Sequence, residues 1–186
     1  MSLFSYIDEI FFSFFFIDLR FDPSACSSGL SIFDDNTNLR QKTYLIGNRT
    51  CRLMTTGWIH GIHYWSMRII SRGPFGRVVL GIVPGHFDIS MDHYPGITAD
   101  SFGFYIFNGN KYNNGQFADF SVESIQNGDV VGVLLDLDAK TLTYYKNGYL
   151  LGTAFGHLLT RNNTKFYPTV TFYDFGSWIS LIKTFK

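Results

Sequence analysis

Residues 128–148 read GDVVGVLLDLDAKTLTYYKNG, and this stretch decides the fold. Two apolar runs, 130–137 and 142–146, flank a short polar turn, and a second turn follows at Asn147-Gly148. Asn-Gly between apolar runs is the strongest short-range signal for a β-hairpin, because both residues accept a positive φ. The stretch therefore predicts antiparallel strands joined by tight turns.

The chain on both sides of this stretch, from residue 21 onward, continues the same pattern of strands and turns. Further strands are predicted at 30–33, 43–46, 50–55, 63–70, 78–83, 102–107, 166–172 and 178–182. In 63–70, His63, Trp65 and Met67 share one face of an alternating strand. Many short strands separated by Gly, Asn and Pro indicate a β-sandwich or barrel. The longest stretch without a strand, 84–101, is a loop of a length that is usually functional or mobile.

Composition supports a single all-β domain. The 186 residues are enough to bury a full core, and 46% hydrophobic against 16% charged residues excludes a disordered chain. The high aromatic content, 18%, favours strands. Lys plus Arg equals Asp plus Glu at 15 each, which argues against a nucleic-acid-binding protein that neutralises many phosphates.

The first 20 residues differ from the remainder, so we divide the chain into an N-terminal segment, 1–20, and a sandwich domain, 21–186. The segment is apolar with a narrow polar stripe at helical spacing. It is too short and too acidic to span a bilayer, and it has no basic start or cleavage site of a signal peptide. We expect it to pack on the domain as a helix or extended segment, or else to be disordered.

The two cysteines, Cys26 and Cys51, do not resemble a disulfide framework, because a secreted scaffold would carry more. The sequence therefore predicts reduced thiols in a cytoplasmic protein. We expect a monomer without membrane association.

No residue pattern indicates catalysis. The only two glutamates, Glu9 and Glu123, are far apart, and a glycosidase needs two carboxylates at one bond. Asp136 and Asp138 share a strand face, but they more simply cap the sheet end and begin the turn. The histidines lack zinc-ligand spacing, and His63 fits a satisfied core position. We expect no enzyme activity, no metal and no cofactor.

Several blocks of the chain, in order, resemble the SPRY domain family. They are FDP at 21–23, GIHYW at 61–65, VLGIV at 79–83, SFGF at 101–104, the hairpin at 128–148, LGTAF at 151–155 and FYPTV at 166–170. The resemblance covers about residues 21–183. One position departs from it: Ser66 stands where many members carry an acidic residue, on the strand face that we expect to point outward.

The resemblance implies a bent antiparallel β-sandwich of two sheets that resembles a jelly roll. It also implies a non-catalytic module that binds a protein or peptide through loops at one end. In this chain the corresponding loops carry Tyr44, Arg72, Phe75, Arg77, Tyr94, Tyr173 and Phe175. Aromatic residues flanked by arginine suit a peptide with an acidic or amide group. Each of these side chains could instead be a packed loop residue.

A glycan-binding module is the alternative. Related sandwiches bind sugars on an aromatic platform beside amide or acidic groups, and Tyr94, Tyr112, Asn113 and Asn114 could form one.

Overall fold

The computed structural model describes residues 19–44, 46–158 and 164–182. The prediction for the N-terminal segment therefore lies almost entirely outside the described residues. The described residues contain no α-helix, and so they include no helix that is long and apolar enough to cross a membrane. The strands are β1 (Phe21–Cys26), β2 (Leu30–Phe33), β3 (Asn38–Gln41), β4 (Arg49–Leu53), β5 (Ile62–Ser71), β6 (Val78–Pro84), β7 (Phe102–Tyr105), β8 (Asn110–Asn113), β9 (Gln116–Asp119), β10 (Val130–Asp136), β11 (Thr141–Lys146), β12 (Tyr149–Phe155), β13 (Phe166–Phe172) and β14 (Trp178–Leu181).

The strands form two antiparallel sheets of seven strands each, which pack as a sandwich. The first sheet has the order β1-β4-β13-β6-β7-β8-β9, and the second has the order β12-β11-β10-β5-β14-β3-β2. The predicted all-β sandwich is confirmed. Chain neighbours such as β10 and β11 pair directly, whereas β5 lies between β10 and β14, which are distant from it in sequence.

The core lies between the two sheets and is built from the predicted faces. Trp65, Met67 and Ile69 alternate along β5 and are 3%, 0% and 0% exposed. Every residue of β6 is buried, as its continuous apolar run indicates. Across the core, the Tyr144 hydroxyl donates a hydrogen bond to the Leu80 carbonyl oxygen at 3.0 Å, which satisfies a fully buried polar group.

The Asn147-Gly148 turn adopts the conformation that its sequence predicts. Both residues have positive φ, 51° and 83°, and they join β11 to β12. Asn114-Gly115 repeats the pattern between β8 and β9, with φ of 53° and 69°. These values fit the two-residue hairpin turn that matches the twist of paired strands.

The long loop, residues 85–101, packs across the outer face of the first sheet. Gly81 and Gly103 pair across β6 and β7 and leave a flat surface on which Pro95 sits. A Cβ atom at Gly81 would lie 2.9 Å from the Pro95 Cβ, and one at Gly103 would lie 2.2 Å from the Pro95 carbonyl oxygen. The loop is therefore held by the sheet at its centre.

Side chains of the first sheet fasten the remainder of this loop. The Arg52 Nη2 donates to the carbonyl oxygens of Pro84, Gly85 and Phe87 at 3.2, 3.2 and 2.6 Å. Nearer the other end, Asn48 donates to the Asp92 carboxylate and Thr50 donates to the His93 carbonyl. The loop thus belongs to the packed body of the domain.

Three expectations differ from the structure. The strand expected at 43–46 is absent at the described residues 43, 44 and 46, and Ile46 is 80% exposed. The short, polar strands β3, β8 and β9 were not expected, because none has an apolar alternation. Ser66 does lie on the strand face opposite Trp65, but it is only 9% exposed, so this face is not an open surface at that position.

Candidate functional site

Two aromatic side chains from separate loops stack at one end of the sandwich. Tyr44 follows β3 and Phe175 follows β13, and their ring centroids are 3.8 Å apart with an interplanar angle of 20°. Tyr44 is nevertheless 82% exposed, so most of its surface is open to solvent. An exposed ring that is already held by a second ring loses little conformational entropy when it binds a partner.

Arg77 lies between two further rings at the same end. Its guanidinium carbon is 4.0 Å from the Tyr173 ring centroid and 4.9 Å from that of Phe75. Phe75 is 61% exposed, so this cation-π arrangement lies at the surface. The backbone joins the same groups, because the Tyr173 N–H donates to the Arg77 carbonyl at 3.1 Å.

The buried carboxylate of Asp174 holds Arg77 in this position. Its carboxylate accepts hydrogen bonds from the Arg77 backbone N–H and Nε at 2.9 and 3.1 Å, and it lies 3.1 Å from Nη2. The Asp174 side chain is 2% exposed, whereas that of Arg77 is 36% exposed. The buried carboxylate thus neutralises much of the arginine charge and orients its planar group.

The loop from 173 to 177 is further fixed by backbone bonds to β3. Gln41 accepts a bond from the Gly176 N–H and donates its own N–H to the Ser177 carbonyl oxygen, at 3.1 and 2.9 Å. Gly73 approaches so closely that a Cβ atom there would lie 2.6 Å from the Asp174 Cβ. These contacts hold Phe175 beside Tyr44 on a rigid base.

Arg72 shares this end but has a different role. Its Nη1 donates to the Ile125 carbonyl oxygen at 2.7 Å, and its backbone N–H donates to the Asn127 side chain at 3.0 Å. Its own carbonyl accepts a bond from the Ser177 hydroxyl at 3.0 Å. Arg72 therefore ties two loops together, and none of the aromatic contacts described above involves it.

None of the described ring contacts joins Tyr94 to Tyr44 or Phe175; Tyr94 instead contacts Tyr112, which the sequence placed beside it in the glycan platform, and Tyr112 contacts Tyr105, which the sequence analysis did not name. Tyr94 packs edge to face on Tyr112 at 5.7 Å, and Tyr112 packs in the same manner on Tyr105 at 5.8 Å. Tyr105 lies at the same end of the first sheet as Arg77. It pairs with Val79 at the start of β6, and Arg77 directly precedes that strand. We call Tyr94, Tyr105 and Tyr112 the tyrosine row.

Two phenols of the tyrosine row, those of Tyr94 and Tyr105, have raised pKa values. Burial raises the pKa of Tyr105 to about 12, and the nearby Arg77 offsets part of that shift. Burial and the neighbouring Tyr112 also raise the pKa of Tyr94. Neutral phenols can donate hydrogen bonds to a bound carbonyl group.

Strand pairing could have added Tyr105 to the pair Tyr94 and Tyr112 that the sequence analysis named. Tyr105 and Tyr112 are outward residues of β7 and β8, and the alternation within each strand shows this once the strands are known. The four-residue β8 has too little apolar periodicity to be recognised alone.

The proposed glycan platform is only partly assembled. Tyr94 and Tyr112 are in contact, but the Asn113 amide donates to the carbonyl oxygens of Ala99 and Ser101 at 3.0 and 2.8 Å. That amide serves to fasten the long loop. Glycan binding stays an untested alternative.

The acidic and histidine pairs have the structural roles suggested by their positions. The Asp136 carboxylate accepts backbone N–H bonds from Asp138 and Ala139 at 3.0 and 2.7 Å, which caps the turn after β10. His63 stacks on Trp58 at 4.0 Å, and its ring nitrogen donates to the His60 carbonyl at 2.9 Å. Burial lowers the pKa of His63. No group of three or more potential ligands for a metal ion occurs in the part of the chain that the structure describes.

Comparison with known sequences gives partial matches to much longer proteins. The chain is 34% identical over 110 residues to a Drosophila melanogaster protein named "Ran-binding proteins 9/10 homolog", and 30% identical over 110 residues to Homo sapiens "Ran-binding protein 9". The match covers 59% of this chain in both cases, but only 11% and 14% of the two relatives.

Solved structures show the same fold. The SPRY domain of human HERC1 superposes with a TM-score of 0.72 at 22% identity and covers 89% of this chain and 99% of that domain. The TRIM65 PSpry domain superposes with a TM-score of 0.70 at 17% identity, and the match covers 90% of this chain and 93% of that domain. The family model described as "SPRY domain" matches residues 62–182. The resemblance seen in the sequence motifs is therefore confirmed, and the chain belongs to the SPRY domain family.

Proposed function

We propose that this chain is a protein-interaction module that binds a peptide segment of another protein at the end of the sandwich formed by Tyr44, Phe75, Arg77, Tyr173 and Phe175. Membership of the SPRY family and the similarity to Ran-binding proteins 9 and 10 support the general role. The choice of this surface is ours and rests on the geometry of the side chains.

The stack of Tyr44 on Phe175 is the observation that carries the proposal. Aromatic residues and arginine dominate the energetically important positions of protein interfaces. Large exposed rings are costly in water unless a partner covers them, and Tyr44 and Phe75 are 82% and 61% exposed. The backbone bonds beneath Phe175 hold these rings in place before any partner binds, which lowers the entropic cost of association.

The geometry favours an uncharged or amide-bearing peptide over a strongly acidic one. The Asp174 carboxylate already compensates the charge of Arg77, so the site offers little net attraction for anions. What remains available is ring surface, the outer N–H groups of Arg77 and the phenol of Tyr44. The ring surface can bind apolar side chains. The N–H groups can donate hydrogen bonds to peptide carbonyl oxygens, and the phenol can donate to a carbonyl oxygen or accept from a peptide N–H.

Selection of peptides from a random display library on the immobilised protein, followed by measurement of Kd, tests the proposal. Phe175→Ala and Tyr44→Ala should each raise the Kd of the selected peptides at least tenfold, which corresponds to about 1.4 kcal/mol of binding free energy. Ile59→Ala is the matched control, because Ile59 is 47% exposed and lies before β5, at the opposite end of the sandwich. Each variant must first show an unchanged circular dichroism spectrum and melting temperature.

Equal weakening by Ile59→Ala, or no effect of either ring variant, would place binding on another surface. The same wild-type protein applied to a glycan array tests the alternative. Specific glycan binding that is lost in Tyr112→Ala, together with failure to select any peptide, would replace the peptide proposal with a lectin-like function.

A further inference from the structure

Cys26 and Cys51 face each other across the outermost strand pair of the first sheet. They are direct partners in the register of β1 and β4. The next pair along, Ser27 and Thr50, is joined by a backbone bond from the Ser27 N–H to the Thr50 carbonyl oxygen at 2.8 Å. Hydrogen-bonded and non-hydrogen-bonded pairs alternate in antiparallel sheets, so the cysteines occupy a non-hydrogen-bonded position.

This position brings two side chains as close as a sheet allows. The Cα atoms of a non-hydrogen-bonded pair are about 4.5 Å apart, which falls at the short end of the range of about 4.4–6.8 Å found in disulfides. Both residues are free thiols in the structure. Residues 26 and 51 thus have the spacing of a cross-strand disulfide without a movement of either strand.

The two thiols differ in access to solvent. Cys51 is fully buried, and its Sγ contacts the carbonyl oxygens of Asp22 and Arg52 at 3.8 and 3.5 Å. Burial raises the pKa of the Cys51 thiol, and the adjacent Cys26 raises it further. Cys26 is only half-buried. An external oxidant can therefore reach Cys26 but not Cys51 in the folded protein.

We propose that Cys26 and Cys51 form a reversible disulfide by exchange with a low-molecular-weight disulfide such as glutathione disulfide. The Cys26 thiolate attacks one sulfur of that disulfide, forms a mixed disulfide and releases one thiol. Cys51 then loses its proton and attacks the Cys26 sulfur, which closes the internal bond and releases the second thiol. Two protein thiols are oxidised, and one external disulfide is reduced to two thiols.

The bond would fasten β1, an edge strand of the sheet whose register with β4 shifts between Phe21 and Cys26. Ser27, directly after Cys26, donates its hydroxyl to the Ile89 carbonyl at 2.6 Å and accepts the Thr50 N–H at 2.9 Å. Closure therefore also restrains the attachment of the long loop. The cross-link lowers the conformational entropy of the unfolded chain. For a domain of this size the melting temperature should therefore rise by about 5–10 °C.

The experiment incubates the full chain with excess glutathione disulfide, blocks remaining thiols and digests with trypsin under non-reducing conditions. Cleavage after Arg20, Arg40, Arg49 and Arg52 places the two cysteines in peptides 21–40 and 50–52. The expected product is these two peptides joined, two hydrogens lighter than their sum. Dithiothreitol should separate them and reverse the rise in melting temperature.

Single variants provide the controls. Cys51→Ala should accumulate glutathione on Cys26, whereas Cys26→Ser should leave Cys51 unmodified. The proposal is overturned if wild-type protein stops at the mixed disulfide on Cys26 or keeps both thiols. It is also overturned if the peptides join but the melting temperature falls, because the bond would then belong to the unfolded chain only.

Discussion

At the scale of single residues, the Asp174 carboxylate organises the candidate site. We expect Asp174→Asn to lower the free energy of unfolding by about 2 kcal/mol, because it removes the charge from a buried group that accepts bonds from Arg77. Urea denaturation measures the loss. Asp138→Asn is the control, with a change below about 1 kcal/mol, because its exposed carboxylate accepts a single bond from the Gly61 N–H. Equal losses in the two variants would contradict this account.

A second prediction at this scale concerns Gly81. A methyl group there would lie 2.0 Å from the Phe102 carbonyl oxygen and 2.9 Å from Pro95, so strand and loop must both move. Gly81→Ala should cost about 3 kcal/mol in thermal or urea unfolding. Gly156→Ala has open space around the new methyl group and should change stability by less than about 1 kcal/mol. An unchanged free energy of unfolding in Gly81→Ala would show that Pro95 does not pack on the sheet at this position.

At the scale of elements, the long loop depends on Arg52. Its guanidinium donates to the carbonyl oxygens of Pro84, at the end of β6, and of Gly85 and Phe87 in the loop, and it lies 5.0 Å from the centroid of the Tyr167 ring. A lysine ammonium cannot reproduce this planar arrangement, so Arg52→Lys should speed hydrogen exchange and protease cleavage within 85–101. Arg68→Lys, which removes a single guanidinium bond to the Gly128 carbonyl, should leave the loop unchanged. Identical exchange in both variants would mean that the other contacts of the loop hold it without Arg52.

The elements that sequence reasoning predicted share a clear physical signal. β5, β6, β10 and β13 carry apolar alternation or continuous apolar runs, and their core positions follow from that pattern. β9 reads QFAD and is exposed at all four positions, so it has no buried face to mark it. Such a strand exists because a neighbouring strand offers hydrogen bonds, and its own composition does not indicate it.

At the scale of the whole molecule, buried tyrosines should make the protein sensitive to alkali. Burial raises the pKa of Tyr64 to about 12 and raises that of Tyr144 further. An unfolded tyrosine ionises near pH 10, so the folded protein retains protons that the unfolded chain loses. The stabilisation is complete below pH 10 and is lost as the pH rises above it. Urea unfolding between pH 8 and 11 should show this decline.

Tyr144→Phe isolates the contribution of one buried phenol. The decline of stability with pH should become shallower by up to about 1.4 kcal/mol per pH unit above pH 10. The variant also loses the bond to the Leu80 carbonyl, so its stability at pH 8 should be lower than that of the wild type. An unchanged slope would mean that Tyr144 is not the controlling group.

The candidate site was predictable only in part, because some of its contacts join residues that are distant in sequence. Tyr44, Phe75, Arg77, Tyr173 and Phe175 converge because loops at one end of a sandwich must meet, which the family resemblance implied. The pairing of Arg77 with Asp174 could not be read from the sequence, because the two residues are 97 positions apart and no local pattern joins them. The role of Arg72 as a tie between loops was hidden for the same reason.

The Asn-Gly turns also determine how the protein ages. The Gly backbone nitrogen in an Asn-Gly pair can attack the asparagine side chain, and hydrolysis then leaves an acid. The side chains of Asn108, Asn127 and Asn147 each accept a backbone N–H bond, at 3.1, 3.0 and 2.8 Å, which restrains that attack. Asn114 bonds only through its backbone among the described contacts, so deamidation should begin there. Over storage, the neutral protein would gain negative charge beside the tyrosine row.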